Sequence, residues 1–203
     1  MKLLFIGNSI TKGTIGKSFV DLLKEHHPDW VIKNAGVRGD TLKNISDRLT
    51  IEILINPDYD FIIIEAGHND IILPNFKTRG VLFRLALKYL LRKGRKPLNP
   101  RDFLLEYAKM LDLVQSKSNA KIIVTTLECI NENLSSILNL QRVEYNGIIS
   151  KMAYNYHCLV ADISHETQLV IEKNYQTDYL LNNFLNSAYF DLKKSQETGG
   201  AID

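Results

Sequence analysis

Short apolar runs alternate along this chain with longer segments whose apolar residues recur every three or four positions. The runs predict strands at about Lys2–Ile6, Val31–Asn34, Phe61–Glu65, Lys121–Thr126 and Cys158–Asp162. The segments between them have helical spacing, as in the predicted helix over about Lys17–His26 that buries Phe19 and Val20. This alternation is typical of βαβ units, whose strands pair in parallel. It therefore predicts an α/β fold with a five-stranded parallel sheet.

The composition fits a single domain over residues 1–203. Of the 203 residues, 45% are hydrophobic and 24% are charged, and the net charge of +2 is too small to indicate a nucleic-acid partner. The two cysteines, Cys129 and Cys158, lack C-x-x-C spacing, which favours a reducing compartment over a disulfide framework or a zinc site. The apolar start is too short for a signal peptide, and no run of about 18 apolar residues exists. We expect a cytoplasmic protein with no transmembrane segment.

Three polar motifs follow the first three predicted strands. They are Gly7-Asn8-Ser9, the stretch from Asn34 to Thr41 that contains Gly39, and Gly67-His68-Asn69-Asp70. Because ligands bind outside the carboxyl ends of the strands in open α/β sheets, these motifs should meet at one rim. A hydroxyl, an unobstructed backbone N–H at a glycine and a carboxamide can together attack a carbonyl and hold the oxyanion. Each motif alone is common as a helix cap, a turn glycine or an Asx turn.

These three motifs resemble the first three blocks of the SGNH (GDSL-type) hydrolases in order and spacing. The resemblance implies a flavodoxin-like, three-layer α/β/α sandwich and a serine-dependent hydrolase that acts on small-molecule acyl esters. It implies Ser9 as the nucleophile. The backbone N–H groups of Ser9 and Gly39 and the side chain of Asn69 would then form the oxyanion hole. No cofactor is expected, and no metal, because no His/Asp/Glu cluster has ligand spacing.

The chain departs from the family at two places. Asn8 stands where the family has Asp, which keeps a hydrogen-bonding side chain. The family also supplies a basic histidine from a D-x-x-H block near the C-terminus. Asp162-Ile163-Ser164-His165 fits these letters, but in a sheet of order 2-1-3-4-5 its strand lies about 14 Å from the first. Three residues reach at most about 10 Å.

Asp178-Tyr179-Leu180-Leu181 lies at a better distance along the chain, but Leu181 cannot accept a proton. His68 lies at the correct rim, where we expect it to shape the pocket; the less favoured alternative is that it substitutes as the base. Either the natural chain continues past Asp203 to a further block, or the base is missing. The alternative to an esterase is therefore an SGNH-fold binding module without catalysis.

A basic helical insertion is predicted at about residues 73–100. Residues 71–101 exceed a normal βα connection and contain nine Lys or Arg residues and no Asp or Glu. Arg84, Lys88 and Arg92 share one helical face. This face is either simply solvated or belongs to a lid that contacts an acyl chain, an anionic substrate or a membrane surface.

A second resemblance, to a phosphate-binding P-loop, is weaker. Gly16-Lys17-Ser18 follows a strand and precedes a helix, but the pattern needs a glycine where Thr11 stands. Nucleotide binding is therefore less favoured than ester hydrolysis. The sequence leaves open the acyl and alcohol specificity and the oligomeric state.

Overall fold

The computed structural model describes residues 1–14 and 18–173. In this part of the chain five strands form one parallel sheet of order β2-β1-β3-β4-β5. The strands are β1 (Lys2–Gly7), β2 (Val31–Gly36), β3 (Phe61–Ile64), β4 (Lys121–Thr125) and β5 (Leu159–Ala161). Each coincides with a predicted strand to within two residues, so the predicted α/β fold and parallel sheet are confirmed.

Helices connect the strands. They are α1 (Ser9–Lys12), α2 (Phe19–His26), α3 (Leu42–Ile55), α4 (His68–Asn75), α5 (Val81–Arg92), α6 (Pro100–Lys117), α7 (Ile137–Asn155) and α8 (Ile163–Lys173). The side chains of Ser18, Asn99 and Ser136 accept backbone N–H groups at the starts of α2, α6 and α7. Such caps satisfy N–H donors that lack partners within the helix.

The sheet buries both of its faces. Successive strand side chains point to opposite sides, so Leu4, Ile6 and Ile62 pack in the cluster that also holds buried residues of α3, α6 and α7. Leu3 and Phe5 pack on the other face with Val20 of α2. Two helical layers around one sheet make the flavodoxin-like sandwich that the resemblance implied.

The connection from β3 to β4 contains the insertion. Between α4 and α6 it forms a 3-10 turn, Phe76–Thr78, and the helix α5. The ring of Phe83 in α5 packs edge-on against Phe76, with centroids 5.0 Å apart, and Leu87 is buried. None of the helices in residues 1–14 and 18–173 is long and apolar enough to cross a membrane.

Candidate active site

Ser9 begins the short helix that follows β1. Asn8 is the N-cap residue of α1, and its Oδ1 accepts the backbone N–H of Ile10 at 2.8 Å. Ser9 is partly buried, and α1 ends at Gly13, whose φ of 72° is the left-handed conformation that favours glycine. The turn therefore holds Ser9 at the carboxyl end of a central strand.

A buried carboxylate lies beneath this turn. Glu65, at the end of β3, accepts four hydrogen bonds. Its Oε1 accepts from Asn8 Nδ2 at 2.7 Å and from His68 Nδ1 at 3.0 Å. Its Oε2 accepts from the backbone N–H of Asn8 and from Thr11 Oγ1, both at 3.1 Å. The amide of Asn8 donates where an aspartate would have placed a second carboxylate against Glu65, which accounts for the departure from the family motif.

His68 is buried next to this carboxylate. Burial alone lowers the pKa of His68, but the hydrogen bond and the charge of Glu65 raise it by more, so its pKa lies above the ordinary value. Glu128, after β4, also acts on His68 through its charge, and burial raises the pKa of Glu128. The carboxylate that supports the Ser9 turn therefore favours the protonated form of this imidazole.

Gly39 lies in the loop after β2, which two arginines hold in place. Its φ is 78°, a backbone conformation that residues with a Cβ rarely adopt. The carboxylate of Asp40, the next residue, pairs with Arg48 Nε at 2.7 Å and with Arg95 Nη1 at 2.8 Å. Arg95 also donates from Nη2 to the carbonyl of Arg38 at 3.1 Å. The residues on both sides of Gly39 are thus fixed.

Asn69 connects the loop after β3 to the Gly39 loop. Its Nδ2 donates to the carbonyl oxygen of Asp40 at 2.8 Å. A carboxamide nitrogen carries two N–H groups, so this bond fixes the amide and leaves a second donor. The predicted residues Gly39 and Asn69 are therefore brought into the same small region.

The Ser9 turn is fastened to the β2 side of the rim as well. The carbonyl of Gly7 accepts the backbone N–H of Val37 and Arg48 Nη2, each at 3.0 Å. The amide of Asn34 donates to the carbonyl of Thr11 at 2.9 Å. Since Glu65 joins the same turn to the end of β3, all three predicted motifs are cross-linked at the carboxyl ends of three adjacent strands.

Asp70, the last residue of the third motif, links the site to the insertion. Its carboxylate accepts the backbone N–H groups of Leu42 at 2.8 Å and Leu98 at 2.9 Å. Burial raises the pKa of Asp70 to about 7, against the lowering effect of those two N–H donors. Asp70 thus positions the start of α3 and the segment before α6.

The pair Asp162 and His165 is not brought to Ser9. It follows β5, at the sheet edge, and β3 and β4 separate β5 from β1. The Oδ1 of Asp162 accepts the backbone N–H of His165 at 3.2 Å and the hydroxyl of Thr126 at 2.8 Å, so the carboxylate caps α8. Leu181 lies outside the described residues. Within them, no group of three His, Cys, Asp or Glu side chains is placed to hold a metal.

Comparison with known families decides the classification. A model of the GDSL-like Lipase/Acylhydrolase family matches residues 5–187. The chain belongs to this family. By that membership it is classed as an ester hydrolase, as the three motifs predict. The match extends over residues 178–181. A search of curated protein sequences finds no match.

Solved structures of esterases have the same fold as this GDSL-like chain. An acetyl xylan esterase, AlAXEase, has a TM-score of 0.69 at 17% identity, covering 99% of this chain and all of its own. The acetylxylan esterase Axe2 from Geobacillus stearothermophilus has a TM-score of 0.65 at 18% identity, and the match covers 100% of this chain and 94% of Axe2. LAE5, an α/β hydrolase enzyme from the metagenome of Lake Arreo, has a TM-score of 0.67 at 17% identity, and the match covers 98% of this chain and 94% of LAE5. At these identities the likeness concerns the fold.

Sequence reasoning missed the residues that support the site. Glu65 gave one usable signal, since it is a charged residue that ends a continuously apolar strand. Arg48 lies on the helix α3, where an arginine is ordinary, and Arg95 is only one of nine basic residues between positions 71 and 101. Their contacts with Asp40 join segments far apart in sequence.

Proposed function

We propose that this GDSL-family chain hydrolyses small-molecule acyl esters through Ser9. The Ser9 oxygen attacks the ester carbonyl carbon as its proton passes to a base, and the oxyanion accepts hydrogen bonds from the backbone N–H groups of Ser9 and Gly39 and from Asn69. Collapse of this intermediate returns the proton to the leaving oxygen, which departs as the alcohol and leaves an acyl-serine ester. Water then attacks that ester, which releases the acid and returns a proton to the Ser9 oxygen. The single observation that carries this proposal is the bond from Asn69 Nδ2 to the carbonyl of Asp40, beside Gly39.

The mechanism also requires a general base that accepts the Ser9 proton. Glu65 engages Nδ1 of the buried His68 and favours its protonated form, which makes His68 a poor candidate for accepting the Ser9 proton. Two of the similar structures are catalytic mutants of Axe2. One has a serine replaced by alanine and the other has a histidine replaced by alanine. We therefore infer that the chain would need a histidine near position 181, where it has leucine, for full turnover.

The substrate and surroundings of the enzyme are also proposals. Two of the similar structures are acetyl xylan esterases, so acetyl esters are the first substrates to measure. A location in the cytoplasm and a contact of the insertion with a membrane surface are proposed on composition and charge.

The test is hydrolysis of p-nitrophenyl acetate by purified variants. Asn69→Ala should lower kcat by about 10²–10³, the usual effect of losing one oxyanion donor. Ser9→Ala should reduce hydrolysis to the rate measured without protein. Asn75→Ala, on the same helix, and Ser116→Ala, on α6, are matched controls that should change little. An unchanged rate in Asn69→Ala would overturn the assignment of the oxyanion hole.

A binding module without turnover is the second candidate, favoured by the leucine at position 181. It predicts that acyl ligands bind while Ser9→Ala leaves the already negligible ester turnover unchanged. Calorimetric titration with a non-hydrolysable acetyl analogue, run beside the turnover assay, separates the two functions.

A further inference from the structure

The helix α5 has an inner face that packs on the domain. Phe83 contacts Phe76, Leu87 is buried, and a Cβ placed on Gly39 would lie 3.7 Å from Leu90 Cδ2. About 100° separates successive helical side chains, so these residues occupy one side of α5. The helix is therefore attached to the domain next to the candidate oxyanion hole, with its opposite side turned outward.

The outward side of α5 carries large apolar residues that remain in solvent. Val81, Leu82, Leu85 and Tyr89 are 62%, 55%, 58% and 61% exposed. Their spacing of three and four residues places them together along one stripe. Four large apolar side chains on three turns of one helix form a continuous exposed patch, which marks an interaction surface more often than scattered single residues do.

A basic stripe runs beside this apolar patch. Arg84, Lys88 and Arg92 are exposed and follow one another at intervals of four residues. The surrounding residues 71–101 have nine basic side chains and no acidic one, although the whole chain has a net charge of only +2. The positive charge of the protein is thus concentrated around α5.

We propose that the outer face of α5, defined by Val81, Leu82, Leu85 and Tyr89 with Arg84, Lys88 and Arg92, docks on an anionic lipid surface. Amphipathic helices that lie in a membrane interface combine these two features. Their apolar side chains enter the boundary between headgroups and acyl chains, and their Lys and Arg side chains contact anionic headgroups. Docking in this way places α5 between the lipid and the Gly39 loop.

The chemistry of this face selects a lipid surface over two other occupants. A nucleic acid would pair with the basic stripe, but it would leave the apolar patch in water. A second copy of the chain would bring one basic stripe near another, and like charges in contact disfavour that association. An anionic bilayer satisfies both stripes at once. The proposal does not rest on Ser9 or on ester hydrolysis.

The test is flotation of the full chain with lipid vesicles. We expect binding to phosphatidylcholine vesicles that contain phosphatidylglycerol, weak binding to pure phosphatidylcholine, and a decrease with added salt. Replacing Arg84, Lys88 and Arg92 with Gln should lower the partition coefficient roughly 100-fold, about fivefold for each charge near the surface. The double variant Leu82→Ser, Leu85→Ser should lower it by at least tenfold.

Matched variants elsewhere on the protein provide the controls. Ile51→Ser with Leu54→Ser removes two exposed apolar side chains from α3, and Lys24→Gln, Lys117→Gln and Lys151→Gln together remove three exposed charges. Both control sets, and Ser9→Ala, should bind vesicles as the wild type does.

Three results would overturn the proposal. The first is equal binding, or no binding, to the two kinds of vesicle. The second is vesicle binding that the control sets weaken as much as the α5 variants do. The third is a different occupant of this face. It would be seen as a dimer in light scattering that the Leu82→Ser, Leu85→Ser variant dissociates, or as tight binding to duplex DNA that this variant does not weaken.

Discussion

Glu65→Ala is the substitution that should most weaken the framework of the site. Glu65 is 5% exposed and accepts four hydrogen bonds, from two groups of Asn8, from Thr11 and from His68. Removing an acceptor leaves each buried donor unsatisfied, which costs about 1–3 kcal/mol apiece. We expect a loss of roughly 3–5 kcal/mol, the usual range for breaking a buried charged pair.

Urea unfolding followed by circular dichroism measures this loss. At a slope of about 2 kcal/mol per molar urea, the midpoint should fall by roughly 2 M with an unchanged slope. Glu65→Gln should give an intermediate loss, because its NH₂ group faces two of the four donors in either orientation. Asp47→Ala is the matched control, since it removes an exposed carboxylate paired with Lys43, which is worth about 0.5 kcal/mol. A Glu65→Ala loss no larger than that of Asp47→Ala would refute the reasoning.

Three further predictions concern Asp70, Gly39 and position 181. Because burial raises the pKa of Asp70 to about 7, the folded state binds more protons than the unfolded state between pH 4 and 7; stability should fall as pH rises through this window, and Asp70→Asn should flatten that fall in urea titrations. Gly39→Ala should lower the free energy of unfolding by about 1–2 kcal/mol, measured by thermal melting, because its φ of 78° is unfavourable for alanine. The added Cβ itself would not clash, since it would lie 3.6 Å from Arg95 Nε. Leu181→His should raise p-nitrophenyl acetate turnover by about 10²–10³ if a missing general base limits the rate, and a gain that persists when Ser9→Ala is added would contradict this.

The parts of the fold with a repeating local signal could be predicted from the sequence. The strands are continuous apolar runs and α2 has a helical period, so their predicted positions are correct to within two residues. The helix α1 has only four residues, which is too short to show a period. Phe19 was predicted to be buried with Val20, but it is 36% exposed while Val20 is fully buried. Spacing identifies a helical face without showing where the face ends.

The site could be predicted only as far as its motifs extend along the chain. Ser9, Gly39 and Asn69 follow strands that parallel pairing brings together, so their shared rim was accessible from sequence. Asp40 precedes α3 and has the chemistry of a helix cap, but its carboxylate pairs with Arg48 and Arg95, and Thr41 occupies the N-cap position. Such assignments depend on partners from distant segments, which no local pattern contains.

The most direct test of the central claim, that Ser9 lies in an oxyanion-binding site, is covalent labelling with a fluorophosphonate, followed by peptide mass spectrometry. We expect a single adduct on Ser9, formed about 10² times more slowly in Asn69→Ala than in the Asn75→Ala control. An adduct on another residue, or labelling of Ser9 at the same rate in Asn69→Ala, would contradict it.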